Sequence, residues 1–168
     1  MSRLERTFYL QSVETVAKQL LGKQLVRVFD DETVERYVIT ETEAYCGVED
    51  RACHASKGRT KRTEVMFHEG GKVYMYLIYG MYWMLNIVCE QEGNACAVLI
   101  RGVRGASGPG RVGRVMELDK SFYGEDLTTS QQIWIEDTGY VPQINASPRV
   151  GIDYAGEPWV SMPLRFYF

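Results

Sequence analysis

Two carboxylates stand one residue apart in Glu41-Thr42-Glu43-Ala44-Tyr45. On a strand, alternate side chains share a face, so Tyr37, Ile39, Glu41, Glu43 and Tyr45 would line one side. A carboxylate pressed against apolar surface rises in pKa, which suits a general base. The competing reading is an exposed edge strand with solvated glutamates. His54 follows nine residues after Tyr45, and His68 is the only other histidine. A lone histidine is more often a satisfied structural residue than a catalyst. A zinc deaminase needs His-x-Glu together with Pro-Cys-x-x-Cys, and neither occurs. Cys46 and Cys53, like Cys89 and Cys96, are separated by six residues. Structural zinc sites pair their ligands two to four residues apart, so isolated buried thiols are expected. No metal and no cofactor is expected.

The strongest local signal is aromatic. Tyr74, Tyr76, Tyr79 and Tyr82 fall within nine residues, followed by Trp83. They fit a tyrosine-rich core, in which each hydroxyl would need a partner. They equally fit a projecting surface that stacks on bases and wedges into a duplex. Gly108-Pro109-Gly110-Arg111 could turn backbone N–H groups toward a phosphate at a helix start. It lacks the Lys-Ser/Thr of a nucleotide P-loop, and a plain turn explains it as well.

Charge is unevenly spread. The 168 residues carry a formal net charge of −3, yet residues 51–114 hold ten Lys and Arg against four Glu. The remainder holds nine basic against eighteen acidic residues. A basic block in an acidic chain is the footprint of a phosphate-binding face, although a solvated loop would show it too. No apolar run of membrane-spanning length and no signal-peptide core occurs. A cytoplasmic protein with no membrane partner is expected.

The elements that must position these residues follow from pattern. Ser12 caps a helix on which Val13, Val16, Ala17, Leu20 and Leu21 recur at helical spacing, and Gly22 stops it. Leu25–Phe29 and Val34–Tyr45 read as strands joined at Asp30-Asp31-Glu32. Residues 46–72 read as a long basic loop, of a length that is usually functional. Val73–Tyr79 and Trp83–Cys89 form a hairpin with Gly80-Met81 at its tip. Ala95–Arg101 is a further strand, and a short helix follows Gly105–Gly110 to about Leu118. Ile133–Ile135, Arg149–Ile152 and Leu164–Phe168 are late strands. The expected fold is α+β: one domain over residues 1–168, with a curved antiparallel sheet, a projecting β-hairpin and flanking short helices.

These segments resemble the alkyladenine (3-methyladenine) DNA glycosylase family, in its single-domain form rather than the helix-hairpin-helix form. The resemblance rests on Glu41–Tyr45, His54-Ala55-Ser56, Met66-Phe67, Val73–Tyr82, Asn86-Ile87, Val98–Arg101, Gly108–Arg111, Arg149-Val150-Gly151 and Pro163–Tyr167, in that order. It implies that Glu43 activates and holds the attacking water, with Arg101 orienting the carboxylate. It implies that Tyr45 and His54 lie on one side of a flipped purine and Tyr76 on the other. Asn86 would exclude the guanine amino group, and Leu99 would form another pocket wall. Tyr79 would fill the gap left in the duplex, flanked by Met81 and Tyr82. The resemblance assigns Glu41 no catalytic role.

By the same resemblance the partner is double-stranded DNA containing damaged purines, and the protein acts as a monomer. Lys57, Arg59, Lys61 and Arg62 are the expected phosphate contacts. The family often has Thr-Pro-Arg-Asn where this chain has Thr60-Lys61-Arg62-Thr63, which changes the loop and keeps its charge. Two other readings use the same residues. A non-catalytic nucleic-acid module would keep the basic loop and hairpin with Glu43 structural. A hydrolase of free nucleosides would need neither the basic block nor the wedge.

Overall fold

The computed structural model describes residues 2–168. Strand β1 (Ser2–Arg3) leads into α1 (Arg6–Tyr9) and α2 (Val13–Leu20). The Ser12 side chain accepts from the Thr15 amide, and Val13, Val16, Ala17 and Leu20 are buried along one face of α2. Gly22 adopts φ +88°, where the chain leaves the helix. Strands β2 (Gln24–Val28) and β3 (Val34–Tyr45) pair antiparallel across the acidic turn. Strands β4 (Val73–Ile78), β5 (Tyr82–Cys89) and β6 (Cys96–Val103) form an antiparallel meander.

The short β7 (Ala106–Ser107) precedes α3 (Pro109–Val115), and β8 (Ile133–Asp137), β9 (Asn145–Ser147) and β10 (Arg165–Tyr167) complete the chain. The principal sheet order is β1-β8-β2-β3-β6-β5-β4, with β10 between β3 and β9, and every pairing is antiparallel. The architecture is α+β. Among the described residues, no helix is long and apolar enough to cross a membrane.

Period-two alternation divides the sheet into two faces. Val73 and Met75, Leu85 and Ile87, and Val98 and Ile100 join the apolar residues of α2 and α3 in the main core. Tyr74, Val88 and Ala97 point the other way. There they pack with Cys53, Ala55, Val65, Met66 and Phe67. Residues 46–72 are therefore a packed layer over the second face, built around 3-10 turns at His54–Lys57 and Glu64–Phe67. All four cysteines are free thiols, with Cys53, Cys89 and Cys96 buried and Cys46 half-buried.

Two expectations are corrected. First, Tyr37, Ile39, Glu41, Glu43 and Tyr45 do not share a face. The β3–β6 register shifts between Ile39 and Glu41 and again between Glu41 and Thr42. Ile39 is fully buried in the main core, as is Ala44, while the Thr42 hydroxyl donates to the Ala17 carbonyl of α2 at 2.8 Å. The bulge flips the face halfway along β3. Nor is β3 an edge, because β6 and β10 flank its C-terminal half. Second, Arg149–Ile152 is not a strand; the strand is the preceding Asn145–Ser147. The Val150 amide donates to a side-chain carboxylate, so it makes no ladder bond.

Helix α3 docks on β5 through a backbone approach. A Cβ on Gly113 would meet the Trp83 carbonyl oxygen at 2.1 Å, and one on Gly110 the Tyr82 ring at 2.9 Å. Gly113→Ala is expected to push α3 off the hairpin strand and to lower stability by about 1–3 kcal/mol. Urea unfolding checks this, and an unchanged midpoint would show that α3 can shift freely.

Candidate active site

The site is built on the face opposite the main core. Register alone places Glu43 of β3 opposite Leu99 of β6, Leu99 beside Asn86 of β5, and Asn86 opposite Tyr74 of β4. One cross-sheet row thus runs through a carboxylate, an apolar side chain, an amide and a phenol. Tyr45 lies opposite Ala97 in the row on one side of this one, and Tyr76 opposite Met84 in the row on the other. These residues, together with Cys53 and His54 of the layer, line a cavity of about 280 Å³. Val150, Ile152 and Tyr154 form a further wall. The volume is near the lower bound for ligand pockets, about 300 Å³.

Glu43 is 0% exposed. Its Oε1 accepts from the Tyr45 hydroxyl at 2.9 Å, and its Oε2 accepts from the Val150 amide at 2.7 Å. Arg101 Nη1 stands 3.9 Å from Oε1. Burial raises the Glu43 carboxyl above its ordinary range, while the Val150 amide, Arg101 and Tyr45 pull it back. The outcome is a carboxylate more basic than one in water, held in a fixed orientation.

The aromatic walls are neutral. Burial holds the Tyr45 hydroxyl well above its usual value, and the Glu43 charge reinforces this. Tyr76 is pushed up to about 12, by burial first and then by Glu43. His54 is pulled down to about 4, mainly by burial and secondly by Arg62. Its Nδ1 lies 2.8 Å from the Tyr74 hydroxyl, and its ring meets Tyr76 edge-on with centroids 4.5 Å apart. The guanidinium of Arg62 sits 5.6 Å from the Tyr76 ring centroid, which ties the basic loop to the cavity wall. Asn86 donates to the Tyr74 and Met84 carbonyls, both at 3.3 Å, which holds its amide in place.

The hairpin tip carries the most exposed aromatic of β4–β5. Tyr79 is 85% exposed and Met81 59%. Tyr79 and Gly80 both adopt left-handed backbone, at φ +54° and +67°. For a tyrosine that conformation costs about 1–2 kcal/mol, and nothing in the core requires it. Tyr82 is half-buried against Gly110 with Arg114 over its ring, so it braces the hairpin. Lys57, Arg59, Lys61 and Arg62 are exposed on the layer beside the cavity. Arg59 already holds the Glu64 carboxylate with two bonds, at 2.7 and 2.8 Å.

Eight of the residues singled out from the sequence meet at this cavity: Glu43, Tyr45, His54, Tyr76, Tyr79, Asn86, Leu99 and Arg101. Met81, Tyr82 and the four basic loop residues lie outside it. Sequence reading missed the pair that holds the site together. Arg149 and Asp50 are 99 positions apart, and both side chains are 0% exposed. Arg149 Nη1 donates to Asp50 Oδ2 at 2.5 Å and to the Ala44 carbonyl at 2.9 Å, and Nη2 donates to Asp50 Oδ1 at 3.0 Å. Asp50 in turn accepts from the Cys46 and Ala52 amides. The Arg149 guanidinium also lies 4.9 Å from the Tyr45 ring centroid. Asp50 sits in the charged run Glu49-Asp50-Arg51, where nothing local marks it as buried.

The chain matches the family described as Methylpurine-DNA glycosylase over residues 7–107 and 103–168. A relative from Methanocella arvoryzae, named for 3-methyladenine DNA glycosylase activity, is 43% identical over 99% of this chain and 92% of its own length. A similarly named protein from Legionella pneumophila (strain Lens) is 43% identical over 99% of this chain and 94% of its own. One from Ehrlichia chaffeensis is 42% identical over 92% of this chain and 88% of its own.

Breaking the buried pair leaves one charge uncompensated. Arg149→Met is expected to cost about 3–5 kcal/mol by denaturant unfolding, far more than a surface ion pair. A loss below about 1 kcal/mol would mean that Asp50 finds another partner. His54 gives a separate pH signature. Its folded value of about 4 lies below its ordinary 6.5. The unfolded chain therefore binds the extra proton first, and stability held above pH 6.5 falls as pH drops toward 4. His54→Gln is expected to flatten that segment of the stability–pH curve, and an unaltered curve would assign the loss to other groups.

Proposed function

This chain belongs to the methylpurine-DNA glycosylase family and is a DNA glycosylase; on that footing we propose that it takes a damaged purine out of duplex DNA into the cavity and hydrolyses its N-glycosidic bond. The substrates are alkylated and deaminated purines of the 3-methyladenine, 7-methylguanine, hypoxanthine and ethenoadenine class. The product is an abasic strand for base excision repair, and the protein acts as a monomer. What supports the reading above all is the Glu43 carboxylate, fully buried and made more basic, at the wall of a cavity lined by neutral aromatic rings. A binding module would have no use for that desolvated charge.

In this reading Glu43 accepts a proton from water while the oxygen adds to the sugar C1′ and the glycosidic bond breaks. The same negative charge stabilises the oxocarbenium-like sugar. Arg101 orients the carboxylate. Tyr45 on one side, and Tyr76 with the His54 ring packed edge-on against it on the other, supply π faces for the extruded base. A methylated cationic base gains from these electron-rich walls and departs as a neutral molecule. A neutral lesion needs a proton or hydrogen bonds to leave. Tyr79 occupies the vacated stack, with Met81 and Tyr82 beside it, and Lys57, Arg59, Lys61 and Arg62 neutralise phosphates. No lysine lines the cavity among the described residues, which favours hydrolysis over a Schiff-base lyase reaction.

Glu43→Gln keeps shape and removes charge and basicity. Single-turnover release of hypoxanthine from a duplex is expected to slow by about 10²–10⁴-fold or more, with lesion binding retained. Release at near wild-type rate would end the proposed role of Glu43.

A further inference from the structure

Arg101 is shared between two carboxylates. Its Nε lies 3.3 Å from Glu41 Oε2, closer than its Nη1 comes to Glu43 at 3.9 Å. Arg165 Nη1 lies 2.6 Å from the same Glu41 oxygen. The sequence arranges this through the β3 bulge. The register shifts on both sides of Glu41 bring it opposite Gly102, while Glu43 faces Leu99. The Glu41 carboxylate rests over Gly102, where a Cβ would come within 3.6 Å of its Oε1. Arg165 is the β10 partner of Glu43 in register, yet its guanidinium goes to Glu41. Two arginines and two glutamates thus balance, and the fully buried glutamate receives the weaker ion pair.

We propose that Glu41 is a positioning residue that holds Arg101 back from Glu43 and thereby sets the proton affinity of Glu43. It rests on the proposed function for its catalytic meaning, but not for its test. An arginine free to close on Glu43 would hold its carboxylate low, and a weaker base draws a proton from water less well. An arginine drawn fully away would leave the buried charge without a cation and raise its pKa further. Glu41 holds the balance between these, and Arg165 limits how tightly Glu41 can grip Arg101. The other groups that face Glu43 are Tyr45 of β3, Tyr76 of β4, Tyr154, and Arg149 with the Val150 amide. None of them contacts Glu41 by hydrogen bond or ion pair among the described residues.

The two ends of this chain of charges make opposite predictions. Glu41→Gln releases Arg101 toward Glu43 and should lower the Glu43 titration midpoint by about one pH unit. Arg165→Gln lets Glu41 draw Arg101 closer and should raise it. Carboxyl ¹³C NMR of the free protein reads the midpoint directly, with the resonance assigned by its loss in Glu43→Gln. The acid limb of single-turnover hypoxanthine release should move the same way in each variant. General structural damage would move both variants alike. Midpoints that stay put, that shift in one direction together, or that shift by as much in an Arg101→Gln background, where only through-space charge can act, overturn the proposal. A wild-type protein that releases no base from any lesion duplex would overturn the proposed function instead, and the NMR titration would still decide the role of Glu41.

Discussion

The buried ion pair of Arg149 and Asp50 is the contact on which the cavity depends. Neither element it joins has regular structure of its own at that point. Residues 46–52 leave the end of β3, and residues 149–152 arrive from β9. Arg149 reaches Asp50, the Ala44 carbonyl and the face of the Tyr45 ring at once. Removing two charges from water costs several kcal/mol per ion, which further hydrogen bonds to the two groups must help to offset. Asp50 accepts two such bonds from backbone amides. The consequence falls one residue further on, where the Val150 amide is delivered to Glu43 Oε2. Without that donor the carboxylate would be less firmly oriented, and burial would raise its pKa further.

Charge in this protein is managed by balance. Around the cavity, Glu43 and Glu41 face Arg101 and Arg165, and Asp50 faces Arg149. The formal charges of these three carboxylates and three guanidiniums cancel. The aromatic walls add no formal charge, because burial keeps the tyrosines protonated and His54 neutral. Net positive charge lies outside, on the loop beside the cavity mouth. A polyanion can thus be attracted to the surface while the carboxylate inside keeps its own counter-charges.

The hairpin separates two tasks with one alternation. Tyr74 and Tyr76 face the layer and the cavity, while Val73 and Met75 face the helices. At the tip the alternation ends in left-handed backbone, and Tyr79 projects into solvent. Helix α3 supports the hairpin from behind through glycine contacts too close for any side chain. A rigid base under an exposed ring is what a wedge requires, since a flexible one would yield before the duplex did.

The sequence by itself determined the elements with strong local pattern: helix α2 with its Ser12 cap, the β2–β3 pair, the β4–β5 hairpin, β6, and the α+β class. Short-range periodicity and turn chemistry suffice for these. It also named most of the cavity's membership, because the motifs around Glu43, His54, Tyr76, Asn86 and Arg101 resemble those of a known family. Tertiary structure decided where alternation breaks. The bulge at Glu41 turns one carboxylate to an arginine that also faces Glu43, and no local pattern announces a one-residue insertion in a ladder. It decided that residues 46–72 form a packed layer, because their apolar residues, Cys53, Ala55 and Val65–Phe67, are too scattered to show periodicity. It decided that Arg149–Ile152 is a clamp, because a buried ion pair across 99 positions depends on which loops the sheet brings together, and the same Asp-Arg chemistry at the surface would read identically in the chain.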